Sequence, residues 1–586
     1  MKKNSTATNR PTVRPRAALI TNHGYAGPDL PIGGAPDTGG QNLYVHNLAK
    51  ALDTIGYNVT IFARGGFPFF DSKKMRTGIQ PFMGNIRYVF IPGGGNQFIR
   101  KEDIAIAIDE ELDWLEAFIA EEAQALSMEP WAVYEFINTH YWDAAVLGVG
   151  LVRRWQDTVV ARAVVKLLEE VVDQEILEAF LANAHVKAVG LAPAYHLGRL
   201  LLESQGNTGG PFLKSGIKEA TRRWANHHRK DASLISSSVE RTLASFRRTV
   251  QTIRPMLAAE ALGDAMFQAK PKTAAQLRTL LAVTDRHVWT PHSLGVLKEE
   301  RFKGHPDEER RSLKFCERRN HEFTVSRQTK AFAATSTELA ERMISRLDVR
   351  PESLFYFPPC IDHDRFRTHD DEETAGTYRY LSKETGIKAK TLREGRVLFE
   401  TSRMDNSKRK DVLLKAFARI AKDLPDTYLV IGGGPDNDVF KNLGTIIAES
   451  PELKGRAFLL GYIPDKYLGP LFALATAYVS PSDMEGFGMS VAQAAASATP
   501  IVCTDTLPFA VQYAPKEARL VPPGDVEAFA AAIKGLLSDP ESAETLGYRL
   551  AGRVEQLNWH TQTEQFLRYL RRQGFPISIS TKRRAS

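Results

Sequence analysis

The chain has 586 residues, too many for one hydrophobic core, so two large domains are expected. A formal net charge of +7 over that length favours anionic partners only mildly and does not point to nucleic acid. Three widely separated cysteines (Cys316, Cys360, Cys503), no apolar stretch of membrane-span length and no apolar run behind the basic start argue against a disulfide framework, a membrane span and a secretory leader; a cytoplasmic setting is expected.

Residues 1–14 read as a disordered basic tail. "AALITNHG" is then short, apolar and closed by Gly24, as a buried parallel strand should be. A Gly/Pro-rich loop follows. "NLYVHNLAKALDTIG" next places Val45, Leu48, Leu52 and Ile55 at helical spacing, and "NVTIFAR" is the following strand. Strand, glycine-rich loop, helix and strand make a βαβ unit, which predicts a doubly wound α/β domain over 15–380. Within it, about 152–281 lose the strand pattern and read as a helical insertion, open to roles as lid, brace or subunit contact in a homo-oligomer. "RRWANHHRK" in that insertion reads more readily as a solvated helix face than as an anion site.

The α/β rhythm restarts late. "GRVLFETSRMD", "KDVLLKAFARIAKDL", "TYLVIGGGP", "AFLLGYI" and "AYVSPSD" predict a second domain over 390–560, with a polar linker or edge helix before it. A closing helix over 561–577 and a basic tail over 578–586 end the chain. Two α/β units facing each other predict a ligand in the cleft, at the carboxyl ends of the strands.

Several strand ends carry chemistry. In "ETSRMDNSKRKD", Arg403 and Lys408 could clamp a diphosphate, Arg by its planar fork and Lys as a point charge; alone, a solvated turn is the simpler reading. Gly433 in "VIGGGPD" lets backbone approach a ligand, but no Gly-Lys-Ser/Thr follows, so this is not a Walker loop. In "SDMEGFGMSVAQAAASATPIV", a helix start after Gly486, Phe487 and Gly488 offers the unsatisfied amides of Met489 and Ser490 to an anion. Glu485 beside that anion site would repel phosphate but can accept from hydroxyls, which suggests a sugar joined to a phosphate; a plain helix-dipole role is the alternative. His292 in "TPHSLGVLK" and His140 in "NTHYWDAA" stand at further strand ends, where a lone histidine is more often structural.

These stretches together resemble retaining nucleotide-sugar glycosyltransferases of the GT-B fold, in the sucrose-phosphate synthase and sucrose synthase branch. The matching segments are "DTGGQNLYVHNLAKAL", "FIRKED", "THYWDAA", "TPHSLGVLK", "SRMDNSK" and "EGFGMSVAQAAASATPIV". The resemblance leaves the helical middle uncovered. It implies two Rossmann-like domains facing a cleft, with the insertion in the first. It also implies a nucleoside diphosphate sugar donor (UDP-glucose first), a small sugar or sugar-phosphate acceptor, and no permanently bound cofactor or metal.

On that resemblance Glu485 and the Gly486–Gly488 backbone hold the donor sugar, while Met489, Ser490, Arg403 and Lys408 hold its diphosphate. Backbone around Tyr462 and Ile463 reads the base, and His292 sits by the transferred sugar. Gly39, Gly40, Gln41, Arg100, Lys101 and His140 lie on the acceptor side. One departure is Gln493, where the family carries a second glutamate that binds ribose. Gln keeps an acceptor but loses the charge. A phosphorylase-like enzyme with a pyridoxal cofactor and a non-catalytic sugar-nucleotide-binding scaffold share this fold and stand as rival readings.

Overall fold

The computed structural model describes residues 14–29, 40–70, 73–169, 282–304, 307–434, 436–483 and 485–578. Most of the expected insertion, both chain ends and Gly39 lie outside the described residues. The insertion's first part, from residue 152, belongs to a helix that begins earlier, Tyr141–Glu169.

The first unit is one sheet built from β1 (Arg16–Thr21), β2 (Asn58–Arg64), β3 (Gly78–Met83), β4 (Ile86–Ile91), β5 (Phe136–His140), β6 (His287–Thr290), β7 (Ala331–Ala334) and β8 (Leu354–Tyr356), in the order β3-β4-β2-β1-β5-β6-β7-β8. All pairs are parallel except β3 with β4. Strands such as "FINTH" and "HVWT" are buried along their whole length, as parallel strands covered by helices on both faces must be. The edge hairpin β3–β4 is not apparent from sequence pattern. Pro81 sits inside β3, and Ile79 and Met83 are exposed, so no buried-strand signature exists there.

The second unit is a six-stranded parallel sheet of β9 (Arg396–Thr401), β10 (Thr427–Gly432), β11 (Ala457–Gly461), β12 (Ala477–Ser480), β13 (Ile501–Thr504) and β14 (Arg519–Val521), ordered β11-β10-β9-β12-β13-β14. The helix Asp371–Thr385 opens on a capping box between Asp370 and Glu373. The expected boundary near residue 380 cuts this helix in two. Its Leu381 joins the apolar core of the second sheet with Leu392, Val397 and Phe399.

The chain crosses between units twice. Ile361 and Asn558 bridge each other where the two crossings run side by side. The helix Trp559–Arg572 then returns to the first unit, where Phe566, Leu567 and Leu570 bury against Tyr44, Leu48 and Phe357. No described helix is long and apolar enough to cross a membrane.

Strand order fixes where ligands can sit. In the first sheet the order reverses between β1 and β5, and in the second between β9 and β12. At such a switch point the loops leaving neighbouring strands diverge and open a crevice at the carboxyl ends.

Candidate functional site

The second crevice brings together residues far apart in sequence. The loop after β9 turns through Asn406–Lys408, capped by Asp405, whose carboxylate accepts from the Ser407 amide at 3.0 Å. The loop after β12 meets it where the Asp483 amide donates to the Ser407 carbonyl at 3.0 Å. Lys408 Nζ lies 2.7 Å from Glu485 Oε1, with the two side chains 6% and 18% exposed. The two expected site residues are thus joined to each other, a charge-assisted pair at the floor of the crevice. Arg403 is 62% exposed with Asp405 3.4 Å away, so its guanidinium faces solvent at the mouth.

Arg409 and Lys410 serve the scaffold instead. Arg409 pairs with Asp483 at 2.8 Å. Lys410 is sealed beneath the loop against Glu400 at 2.5 Å, with a bond to the Ser402 carbonyl at 3.0 Å. Burial pulls the Lys410 ammonium down against the charge of Glu400.

Three backbone turns line the same crevice. Gly433 has φ +105°, and its amide donates to the Gly461 carbonyl at 2.7 Å. A Cβ there would overlap the Ser402 carbonyl oxygen, so glycine is required on both counts. Gly488 caps the eight-residue helix Met489–Ala496 at φ +99°. Ala492, Ala494 and Ala495 on that helix are fully buried, which lets its start press close to the strand ends. Gly486 has open space where a side chain would be, whereas Phe487 is buried against Phe509 and Tyr513. After β11, Tyr462 is exposed and Ile463 is buried. Gln493 is half-buried and, with Met489, Arg365 and His46, lines a groove of about 950 Å3 between the units.

In the first crevice His140 ends β5 and His292 follows β6, with His140 Nδ1 and His292 Nε2 3.0 Å apart. Burial drives both imidazoles towards the neutral form, His292 to about 3, and each is further held down by a neighbouring histidine. His292 has φ +56°, a conformation that costs a non-glycine residue energy and is found where a side chain must be aimed. The edge of Tyr44 packs on it at 4.9 Å. Gln41 lies in the first turn of the helix Gly40–Ile55, and its amide reaches Thr21 Oγ1 at 3.2 Å and the His140 carbonyl at 3.4 Å. Gly40 starts that helix with open space around it. Under them His23 meets Asp143 at 3.1 Å.

Next to the histidines is a cavity of about 210 Å3 with net positive charge, lined by Lys101, Lys298, Lys314 and Arg318 against Glu102 and Glu317, with Tyr141 among them; Lys101 pairs with Glu102 at 3.2 Å. Lys298 Nζ donates to Tyr141 Oη at 3.0 Å, and Arg318 Nη1 donates to the same oxygen. Burial alone would raise the Tyr141 phenol, but Arg318, Lys298 and Lys101 together outweigh it and bring the group below its ordinary range. Arg318 is held by Glu322 at 2.7 Å and by the Ser293 carbonyl at 2.7 Å; Glu322 also accepts from the Gly295 amide at 2.9 Å. The structure therefore groups Lys101 with Tyr141, Lys298 and Arg318, three residues that sequence pattern does not single out as a site. Lys298 carries a weak signal, six residues after His292, whereas Arg318 sits in "FCERRNHEF" among other charges. Arg100 is 55% exposed, bound to Asp103 and the Ser312 carbonyl, and is absent from the cavity wall.

Residues 383–551 match the family model Glycosyl transferases group 1. Over 582 residues, the chain is 23% identical to the mannosylfructose-phosphate synthase of Agrobacterium fabrum, covering 96% of this chain and 90% of that protein. Among solved structures, sucrose-phosphate synthase from Thermosynechococcus elongatus superposes with a TM-score of 0.57 at 19% identity, over 95% of this chain and 99% of that one. Anabaena HepE in complex with UDP and glucose superposes at 0.51 and 13% identity, over 95% and 100%. Residues 383–551 of the second unit thus carry a glycosyl transferases group 1 domain, and the two doubly wound units together have the GT-B fold.

Proposed function

We propose that the chain transfers a hexosyl group, with retained anomeric configuration, from a nucleoside diphosphate sugar to a small phosphorylated sugar. The observation that carries this reading is a pair of cationic centres, one at the carboxyl ends of each sheet. Arg403, Lys408 and the start of the helix Met489–Ala496 form one. Lys101, Lys298 and Arg318 around Tyr141 form the other. A donor diphosphate suits the first and an acceptor phosphate the second.

In this reading Lys408 orients Glu485 towards the donor sugar's hydroxyls, and Arg403 closes on the diphosphate. Negative charge grows on the leaving phosphate as the glycosidic bond breaks, and the fixed cations and helix-start amides stabilise it there. The acceptor hydroxyl attacks from the same face and gives its proton to the leaving phosphate. His292 stays neutral and donates or accepts at the sugar without taking charge.

UDP-glucose with fructose 6-phosphate is the first pairing. A mannosyl donor is the second, supported by the name of the relative that aligns over nearly the whole chain. The test is mass-spectrometric product detection over UDP-, ADP- and GDP-sugars against phosphosugar acceptors. A disaccharide phosphate from UDP-glucose is expected. The same product class from GDP-mannose alone would select the second pairing, and no disaccharide phosphate from any pair would overturn the proposal.

A further inference from the structure

Away from the chain crossings, hydrogen bonds join the two units at the end of β8. Tyr356, the last residue of β8, donates its hydroxyl hydrogen to Gln512 Oε1 at 3.2 Å. With that hydrogen committed, its oxygen accepts from the Tyr513 hydroxyl at 2.9 Å. Thr337 Oγ1 reaches the same Gln512 oxygen at 3.5 Å. Gln512 and Tyr513 close the short helix Pro508–Tyr513 of the second unit.

That helix is the platform under the Glu485–Ser490 turn. Tyr513 stacks on Phe509 at 5.6 Å, and both rings meet Phe487 edge-on, at 6.2 and 5.7 Å. The Phe509 amide donates to the Phe487 carbonyl at 2.8 Å. Space beside Gly488 is bounded by Leu507 and Phe509. Phe487 therefore cannot shift without moving the ring that carries the inter-unit hydroxyl bond. Packed aromatic groups of this kind move as discrete blocks rather than deforming smoothly.

We propose that Tyr356 and Tyr513 are positioning residues, a hydroxyl latch through which the placement of the two units sets the geometry of the Glu485–Ser490 turn. When the units separate at this edge, the latch opens, the Phe509–Tyr513 pair loosens and Phe487 releases the turn. When they approach, the turn is fixed with Glu485 against Lys408. The inference rests on the donor-side role proposed above for that turn, but its structural part does not need turnover.

The test uses the full chain with Tyr356→Phe, Tyr513→Phe and the double variant, which remove hydroxyls and keep the rings. Hydrogen exchange of peptides covering 485–490 should speed up about fivefold in Tyr513→Phe, as loss of one hydrogen bond predicts, and at least as much in Tyr356→Phe, which also loses the bond to Gln512. The double variant should show no more than Tyr356→Phe alone, because that change already removes both bonds. Peptides from β9 should be unchanged. Unaltered exchange at 485–490, or effects that add in the double variant, would overturn the latch. Where turnover is measurable, the KM for donor should rise with the KM for acceptor unchanged; equal rises in both would also overturn it. A wild-type protein without transfer activity would refute the proposed function and leave the exchange result to decide the latch.

Discussion

At Arg403 the guanidinium is 62% exposed and Asp405 is its close carboxylate among the described residues, at 3.4 Å, so little folding energy depends on it. Its proposed work is done where charge develops on the diphosphate. Arg403→Ala should lower kcat by a factor of about 100 or more while leaving the melting temperature almost unchanged. Initial rates with a saturating donor, beside a thermal melt, check both halves; near-normal turnover would remove Arg403 from the site. Lys298 differs, since it bonds the Tyr141 hydroxyl in the cationic cavity. Lys298→Met should raise the KM for a phosphorylated acceptor about tenfold or more, with the KM for donor unmoved. An equal effect on an unphosphorylated acceptor would mean that the cavity does not hold phosphate. At Gln493, half-buried in the inter-unit groove, restoring a carboxylate by Gln493→Glu should tighten donor binding in calorimetry by up to about tenfold. No change would take this position out of nucleotide contact.

At the scale of the element, the loops leaving β9, β10 and β12 act as one surface because their backbones interlock. The Met404 amide donates to the Gly434 carbonyl at 3.0 Å, and Asn437 Nδ2 donates to the Met404 carbonyl at 2.7 Å. Gly433→Ala would drive a methyl group into Ser402 at a left-handed φ, and Ser402 directly precedes Arg403. The variant should lose about 1–3 kcal/mol of stability and most of its activity, checked by denaturant unfolding together with initial rates. An active variant of wild-type stability would show that the turn yields. Elements of this kind were legible in sequence where apolar runs end in glycine, as in "TYLVIGGGP" and "AALITNHG". They were illegible where the signal was tertiary. The Lys408–Glu485 pair spans 77 residues and exists only because β12 inserts beside β9. Arg318 becomes a buried cation through the packing of the helix Phe315–Gln328, and in sequence it matches its solvated neighbour Arg319.

For the whole molecule, buried histidines give the strongest handle on pH. Burial holds His46 to about 4 and both His287 and His292 to about 3, and places His140 well below the ordinary imidazole range. Each has a folded pKa depressed below its unfolded value of about 6.5. Their contribution is therefore full above about pH 6.5 and is lost as pH falls towards the folded values. Two buried carboxyls act oppositely, with burial raising Glu111 to about 8 and Asp285 to about 6. Their contribution is full below their unfolded pKa near 4 and fades as pH rises through the folded values. Between about pH 4.5 and 6 the four histidines outnumber the two acids, a net of about two protons, or about 3 kcal/mol per pH unit. Above about pH 7 Glu111 outweighs the other five, and stability should decline gently towards pH 8. The melting temperature should thus peak at about pH 7 and fall more steeply on the acid side. His287 is bonded by Thr139 at 2.7 Å and Thr329 at 3.1 Å, away from the proposed chemistry. His287→Gln should make the acid limb shallower by about 1.4 kcal/mol per pH unit while lowering stability at neutral pH. Melting curves from pH 4.5 to 8.5 on both proteins decide this; a flat wild-type profile below pH 6.5, or an unchanged slope in the variant, would mean that these imidazoles are not held neutral.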